Sequence, residues 1–103
     1  MSKIPIYFLP GLAAGPEIFE NLRLSNSVYD LYYLQWKIPL HQKETVANYA
    51  MRMCEDILHK NPVLVGVSFG GIMVQEMSQF ITTKKVIIIS SVKDKKELPK
   101  RFQ

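Results

Sequence analysis

One serine in this chain stands where a nucleophile could be held. Ser68 is the centre of a Gly-x-Ser-x-Gly segment, residues 66–70, that follows the apolar run Val63–Val67 and precedes an apolar, helix-like stretch. This order of strand, turn and helix is what a nucleophile elbow requires. Gly66 and Gly70 lie two positions on either side of the serine, where a Cβ would collide with the adjacent strand or helix. Such a turn would raise the hydroxyl above the edge of a sheet, beside the free N–H groups of a helix N-terminus.

Two other interpretations of this segment remain open from its residues alone. Serine is a favoured N-cap, so Ser68 could belong to a tight strand-to-helix turn with no chemistry. The run from Gly66 to Gly71 also opens a helix after a strand, as a phosphate-binding loop does. Against a nucleotide-binding domain, neither Gly-Lys-Ser/Thr nor G-x-G-x-x-G occurs in the chain. The placement directly after an apolar strand favours the nucleophile.

The elements that must position Ser68 alternate between strand and helix patterns. Apolar and β-branched runs predict four strands, at Ile4–Leu9, Tyr29–Trp36, Val63–Val67 and Val86–Ile89. Helical spacing, and a proline suited to a first helical turn, predict helices at Pro16–Leu22, Thr45–Lys60 and Phe69–Phe80. Alternation of this kind predicts an α/β fold with a parallel sheet and right-handed crossovers.

Composition and charge are those of an ordinary small globular domain. The chain has 103 residues, of which 48% are hydrophobic and 21% are charged. Of the net charge of +4, +3 comes from residues 93–101, where five basic residues outnumber two acidic ones. A solvated loop or helix start explains this segment more simply than a contact with nucleic acid or a membrane. Neither of these partners is therefore predicted.

The cysteine, the histidines and the apolar runs limit the remaining classes. Cys54 is the single cysteine, so no internal disulfide can form, and it fits a helical apolar pattern as a small hydrophobe. This cysteine and the two histidines lack the spacing of metal ligands, so neither a metal nor a cofactor is predicted. The chain shows no signal peptide and no apolar run near the roughly 20 residues that span a bilayer, so a cytoplasmic location is expected.

Two motifs together resemble the first half of an α/β-hydrolase, and the likeness extends from the first predicted strand to the last. One motif is the Ser68 elbow. The other is Leu9-Pro10-Gly11-Leu12-Ala13-Ala14-Gly15, which is similar to the family's oxyanion loop after the preceding strand. Pro10 stands where many relatives have a histidine. The resemblance implies a three-layer α/β/α sandwich with a mainly parallel sheet, incomplete here with four parallel strands, in which the first strand lies between the second and third.

The resemblance also implies a chemistry and the residues for it. Ser68 would attack the carbonyl carbon of a carboxylic ester or thioester and form a covalent acyl-enzyme. The backbone N–H groups of Phe69 and Leu12 would stabilise the developing oxyanion. Gly11, Leu12 and Phe69 would contact the substrate, and Trp36 could line part of the acyl site. The glycines that build the elbow are Gly66, Gly70 and Gly71.

The acid and base of the family are missing from their expected positions. The family order is Ser, then Asp or Glu, then His, yet no histidine follows Ser68. His41 is predicted in a surface loop that could reach the rim of the site. His59 is predicted at the C-terminal end of a helix, where it would interact with the helix dipole. Asp94 is a candidate acid, although pairing with neighbouring lysines is the simpler interpretation.

This deficit predicts that residues 1–103 form one partial domain, the N-terminal half of an α/β-hydrolase, with little turnover alone. Its incomplete sheet would leave an edge open to self-association. The expected partner is a small acyl ester or thioester whose acyl group the sequence does not specify. The alternatives are a non-catalytic binding protein of the same fold, an acyltransferase and, as a third, a nucleotide-binding domain.

Overall fold

The computed structural model describes residues 3–11 and 27–89 of the chain. In chain order these residues form β1 (Ile4–Leu9), β2 (Tyr29–Tyr33), α1 (Val46–Cys54), β3 (Val63–Val67), α2 (Phe69–Met77) and β4 (Lys85–Ile89). All four predicted strands and two of the three predicted helices are therefore present. The predicted helix Pro16–Leu22 and the candidate residues Leu12 and Asp94 lie outside the described residues.

The described strands are all parallel, in the order β2-β1-β3-β4. The predicted parallel sheet, with the first strand between the second and third, is confirmed. In the pairing of β1 with β3, the last partners are Leu9 and Gly66. Because neighbouring parallel strands end at the same edge of a sheet, the chain leaves β1 and β3 side by side, and Gly11 and Ser68 follow at that edge.

Strand side chains alternate between the two faces of the sheet, and both described helices pack on the same face. The buried cluster on the helix side contains Tyr7, Leu9, Leu34, Ala50, Met53, Leu64, Met73, Val74 and Met77. The cluster on the opposite face contains Ile6, Phe8, Val63 and Val65. Within residues 3–11 and 27–89 the α/β fold thus has two layers, and the third layer of the expected sandwich stays a prediction.

The helix α1 is shorter than predicted because contacts with the sheet replace its last turns. It begins after the capping residue Thr45 and ends at Cys54, not at Lys60. Beyond it, the Leu58 N–H donates to the Tyr7 hydroxyl at 3.2 Å instead of to a helical carbonyl. This long-range contact outweighs the helical spacing of the intervening residues.

Two other elements also end earlier than predicted. β2 ends at Tyr33, and Trp36 follows in a loop from which its side chain reaches the Pro10 carbonyl. α2 ends at Met77, so the predicted last residue of the helix, Phe80, lies beyond it and is 41% exposed. Neither described helix is long and apolar enough to cross a membrane.

β4 forms an edge of the described sheet and exposes apolar side chains. Ile87, Ile88 and Ile89 are 37%, 43% and 44% exposed. An apolar edge strand can pair with another chain. Self-association through this edge therefore stays a prediction.

Candidate active site

Ser68 has the backbone of a sharp turn between β3 and α2. Its φ is 57° and its ψ is −120°, and a positive φ is uncommon for a residue that has a Cβ. The Ser68 N–H donates to the Ile89 carbonyl at 2.8 Å, and its own carbonyl accepts from the Gly71 N–H at 2.9 Å. Its side chain makes no capping hydrogen bond to α2. The geometry fits a nucleophile elbow better than a helix cap, because a capping serine has an extended backbone and bonds to helix N–H groups.

We expect Ser68→Gly to stabilise the fold relative to Ser68→Ala, because only glycine adopts a positive φ without steric cost. Residues held in sparsely populated backbone regions cost about 1–3 kcal/mol each. The greater unfolded freedom of glycine offsets roughly 0.5–1 kcal/mol of this gain. We therefore expect Ser68→Gly to be about 1 kcal/mol more stable than Ser68→Ala in urea unfolding. Equal stability of the two variants would show that position 68 is not strained.

Gly66 and Gly70 are required by close backbone approaches around this turn. A Cβ on Gly66 would overlap the backbone of Gly70 and lie 2.6 Å from the Gly71 nitrogen. A Cβ on Gly70 would overlap the Leu9 carbonyl and lie 2.8 Å from the Pro10 oxygen. The predicted collisions are therefore present, with α2 at the first position and with the end of β1 at the second.

The loop after β1 begins beside Ser68. A Cβ on Gly11 would lie 3.8 Å from the Ser68 Cβ and 3.8 Å from the Val67 carbonyl oxygen. Phe69, one of the predicted oxyanion donors, is the first residue of α2 and is 8% exposed. The other predicted donor, Leu12, follows Gly11 and lies outside the described residues. The described part of the site thus brings Gly11, Ser68 and Phe69 together.

Trp36 connects the two loops of the candidate site. Its indole N–H donates to the Pro10 carbonyl at 2.9 Å, and its ring centroid lies 5.4 Å from that of Phe69. The Tyr49 ring lies 6.2 Å from the Trp36 ring, and its hydroxyl accepts from the Lys37 N–H at 2.7 Å and donates to the Lys37 carbonyl at 2.5 Å. The sequence indicated Trp36 only as the end of a strand and as a lining residue, and it did not indicate Tyr49. No local pattern reports contacts between residues so far apart in the chain.

A cavity of about 420 Å³ opens beside the Phe69 side chain. A volume of this size is typical of small-molecule sites. The apolar part of its lining consists of Trp36, Pro39, Val46, Tyr49, Phe69 and Met73. The polar part consists of Lys37, His41, Gln42 and Glu44. The candidate nucleophile therefore has a largely apolar cavity next to it.

Glu44 is one of the polar residues that line this cavity, and both oxygens of its carboxylate accept hydrogen bonds. The side chain is 2% exposed and accepts from the Arg52 guanidinium at 2.8 and 3.0 Å. It also accepts from the Asn48 amide at 2.6 Å and the Leu40 N–H at 3.0 Å. Burial raises the pKa of this carboxyl, but the hydrogen bonds outweigh burial and bring the pKa below its ordinary value. Glu44 is thus an ionised structural group and not a free general base.

His59 does not lie at a helix C-terminus, so the predicted dipole interaction is wrong. α1 ends at Cys54, and the His59 ring packs against two strands instead. Its Nδ1 lies 2.6 Å from the Tyr7 hydroxyl, and its Nε2 lies 3.4 Å from the Tyr32 hydroxyl. Because the Tyr7 oxygen already accepts the Leu58 N–H, we assign Tyr7 as the donor to Nδ1. Hydrogen bonds to β1 and β2 therefore determine where this histidine lies.

His59 is not placed to take a proton from Ser68, and no hydrogen bond joins His41 to Ser68. Tyr7, which bonds to His59, pairs with Leu64 in the sheet. Ser68 lies further along the chain than Leu64, at a distance of roughly 13 Å if the usual rise of a strand is assumed. His41 lines the cavity beside Phe69, as its loop position allowed, and its Nδ1 accepts a backbone N–H at 3.2 Å. In the part of the chain that the structure describes, no hydrogen bond joins the Ser68 hydroxyl to a histidine.

No protein-family model matches this chain, and no curated protein sequence matches it. Family membership is therefore a proposal that depends on the residues and their geometry. Across residues 3–11 and 27–89, no group of three or more His, Cys, Asp or Glu side chains is arranged to hold a metal ion.

Proposed function

We propose that this chain is part of a serine hydrolase of the α/β-hydrolase type, which cleaves carboxylic esters or thioesters through an acyl-enzyme on Ser68. The observation that carries the proposal is the Ser68 backbone, with its φ of 57° at the turn from β3 into α2. A strained conformation at a residue other than glycine persists only where the surrounding structure holds it. The position of Gly11 beside Ser68, and the glycine contacts that tighten the turn, support the same interpretation.

In the proposed reaction the Ser68 Oγ attacks the carbonyl carbon, and its proton passes to a base. The new C–O bond makes the carbonyl oxygen an oxyanion, which the N–H groups of Phe69 and Leu12 would bind. One such donor lowers the barrier by about 3 kcal/mol in measured cases. Collapse of the intermediate breaks the bond to the alkoxide or thiolate, which takes up a proton and leaves. Water then attacks the acyl-enzyme in the same way and releases the carboxylic acid.

The base for this reaction is expected from outside the described residues. His59 is bonded to Tyr7, and the Glu44 carboxylate is paired with Arg52. General-base catalysis typically contributes about 10²–10⁴-fold in rate. We therefore expect slow turnover by residues 1–103 alone, and the best test of Ser68 is one that needs no base.

A thiol at position 68 meets this need, because a cysteine is partly ionised at neutral pH without a base. The test uses Ser68→Cys in a Cys54→Ser background and measures two rate constants, acylation by an acetyl thioester and alkylation by iodoacetamide. Acylation develops an oxyanion and alkylation does not, so their ratio reports the oxyanion donors and largely cancels differences in thiolate content. Ser27→Cys in the same background is the matched control, since Ser27 is exposed.

We expect the ratio of acylation to alkylation for Ser68→Cys to exceed that of the control by about tenfold to a hundredfold, as oxyanion donors would produce. A ratio equal to that of the control would contradict the proposal that the chain is a hydrolase and would favour a non-catalytic binding protein. The native Cys54 is replaced because its thiol would react as well. Burial raises the pKa of this thiol, so its reaction would be a second, slow one.

A fluorophosphonate probe tests the expectation of slow turnover on the unmodified chain. We expect weak labelling. Rapid labelling that is lost in Ser68→Ala would show that the chain holds its own base, and would overturn the expectation of slow turnover.

A further inference from the structure

The cavity beside Phe69 has an aromatic wall that attack by Ser68 does not by itself require. The Trp36 ring centroid lies 5.4 Å from that of Phe69 and 6.2 Å from that of Tyr49. Met73, about one turn beyond Phe69 on α2, adds a thioether to this wall. Aromatic and thioether surfaces favour apolar ligands, and ring-bearing ligands most of all.

Lys37 and Glu44 line the cavity, and each is already paired with a residue outside the lining. Lys37 forms an ion pair with Asp56 at 3.2 Å, and Glu44 forms one with Arg52 at 2.8 Å. A charged ligand would have to compete with these pairs, whereas a neutral ligand would not. The occupant that fits this lining is therefore uncharged.

The cavity begins one residue beyond the candidate nucleophile. Phe69 directly follows Ser68 and lines the cavity, whereas Ser68 itself is not part of the lining. Trp36 lines the same cavity and bonds to the carbonyl of Pro10, the residue before Gly11. A carbonyl group attacked by Ser68, with its oxygen on the Phe69 N–H, would therefore have its acyl substituent next to the cavity.

We propose that this cavity binds the acyl group of the substrate and selects a neutral arylalkanoyl group such as phenylacetyl. This identification of the occupant rests on the proposed function of Ser68. A cavity of about 420 Å³ has room for roughly a dozen groups the size of a water molecule. A phenyl ring and its linker fit within that volume.

Trp36 provides a direct measure of binding, because it is the only tryptophan of the chain and lines the cavity. The unmodified chain is titrated with phenylacetamide, a neutral amide that mimics the acyl half of the substrate, and with acetamide as the control ligand. We expect a saturable change of tryptophan fluorescence with phenylacetamide and none with acetamide over the same concentrations. No saturable change with phenylacetamide would overturn the proposal.

Met73→Ala and Met77→Ala separate a contact in the cavity from a general loosening of α2. The two side chains are 4% and 0% exposed, but Met73 lines the cavity and Met77 does not. Met73→Ala should weaken phenylacetamide binding by about tenfold or more, since it removes two carbons and a sulfur, and each buried carbon lost contributes roughly fourfold. Met77→Ala should leave the affinity within about twofold of the unmodified chain. Equal weakening by both would overturn the proposal.

Val46→Ala provides a second change in the lining that leaves the core intact. Val46 is 45% exposed, so this variant is expected to fold and to bind phenylacetamide about fourfold more weakly. Val28→Ala, at a residue that is 44% exposed and is not part of the lining, is the control and should leave the affinity unchanged. Equal affinities for the two variants would count against the cavity.

The proposal of a hydrolase and the proposal of an acyl-binding cavity can be contradicted separately. If the ratio of acylation to alkylation at Ser68→Cys equals that of its control while phenylacetamide saturates the Trp36 fluorescence, the hydrolase is wrong and the cavity is a ligand site. If the ratio is raised with an acetyl thioester but a phenylacetyl thioester reacts no faster, the hydrolase stands and the acyl selectivity is wrong.

Discussion

Alanine at Gly66 or Gly70 is expected to destabilise the fold of this chain severely. At both positions the added methyl group would meet backbone atoms, which cannot move aside as a flexible side chain can; for Gly70 these include the Pro10 oxygen at 2.8 Å. Overpacking typically costs about 1–3 kcal/mol and sometimes more, so we expect about 3 kcal/mol or more here. A typical domain has only about 5–15 kcal/mol of stability. Urea unfolding followed by circular dichroism measures the loss.

Gly11→Ala and Gly71→Ala are the matched controls for this prediction. Among the described residues, the nearest neighbours of a Cβ on Gly11 lie at 3.8 Å, and the described glycines have no positive φ, so Gly11→Ala should be nearly neutral. A Cβ on Gly71 would meet the Ile88 side chain at 2.6 Å, which can shift, so an intermediate loss is expected.

The position of Gly70 inside α2 makes the comparison stricter. Alanine there would gain about 1 kcal/mol in helix propensity, so a loss of stability must come from the contact with β1. Equal stabilities for Gly70→Ala and Gly11→Ala would contradict the close packing of the turn against the end of β1.

Trp36→Ala is expected to lower both the stability of the fold and the acylation of a thiol at position 68. The residue joins the loop after β1 to α2, through the Pro10 carbonyl and the Phe69 ring. A fully buried aromatic side chain is worth about 3–5 kcal/mol against alanine. Trp36 is half-buried, so we expect a loss of roughly 2–3 kcal/mol. In the Ser68→Cys background, the ratio of acylation to alkylation should fall to about that of the Ser27→Cys control, because small misplacements of donors cost much of their effect.

Trp36→Phe separates the hydrogen bond from the packing. It keeps a ring against Phe69 and removes the donor to Pro10, a neutral hydrogen bond worth about 1 kcal/mol. An intermediate ratio is expected for this variant. If Trp36→Ala lowered the stability but left the ratio unchanged, Trp36 would pack the loop without positioning the site.

The strand predictions succeeded best where the pattern was short and clearly bounded. The bounds predicted for β3, Val63–Val67, agree with the structure, because Pro62 precedes the run and the glycine-serine turn ends it. The predicted β2 and α1 were too long. In each case the chain leaves the element to make a contact elsewhere: Trp36 with Pro10, and Leu58 with Tyr7.

The two histidines show the same limit at the candidate site. A lone histidine near a helix end is most simply explained by the helix dipole, and this explanation is wrong for His59 because the helix ends earlier. The hydroxyl of Tyr7, far away in the chain, is a stronger partner at 2.6 Å. His41 could be predicted only as a loop residue, and its place in the lining of the cavity depends on the packing of α1 against α2.

Residues close together in the chain were enough to predict the order of the elements, the turn at Ser68 and the need for Gly66 and Gly70. Each of these depends on local backbone sterics and on apolar periodicity, and neighbouring residues in the chain determine both. Three features could not be predicted in this way: the hydrogen bond from Trp36 to Pro10, the aromatic cavity and the partner of His59. The bond from Trp36 to Pro10 and the bond from His59 to Tyr7 join residues 26 and 52 positions apart. All of these contacts exist only because the parallel sheet brings their strands and loops together.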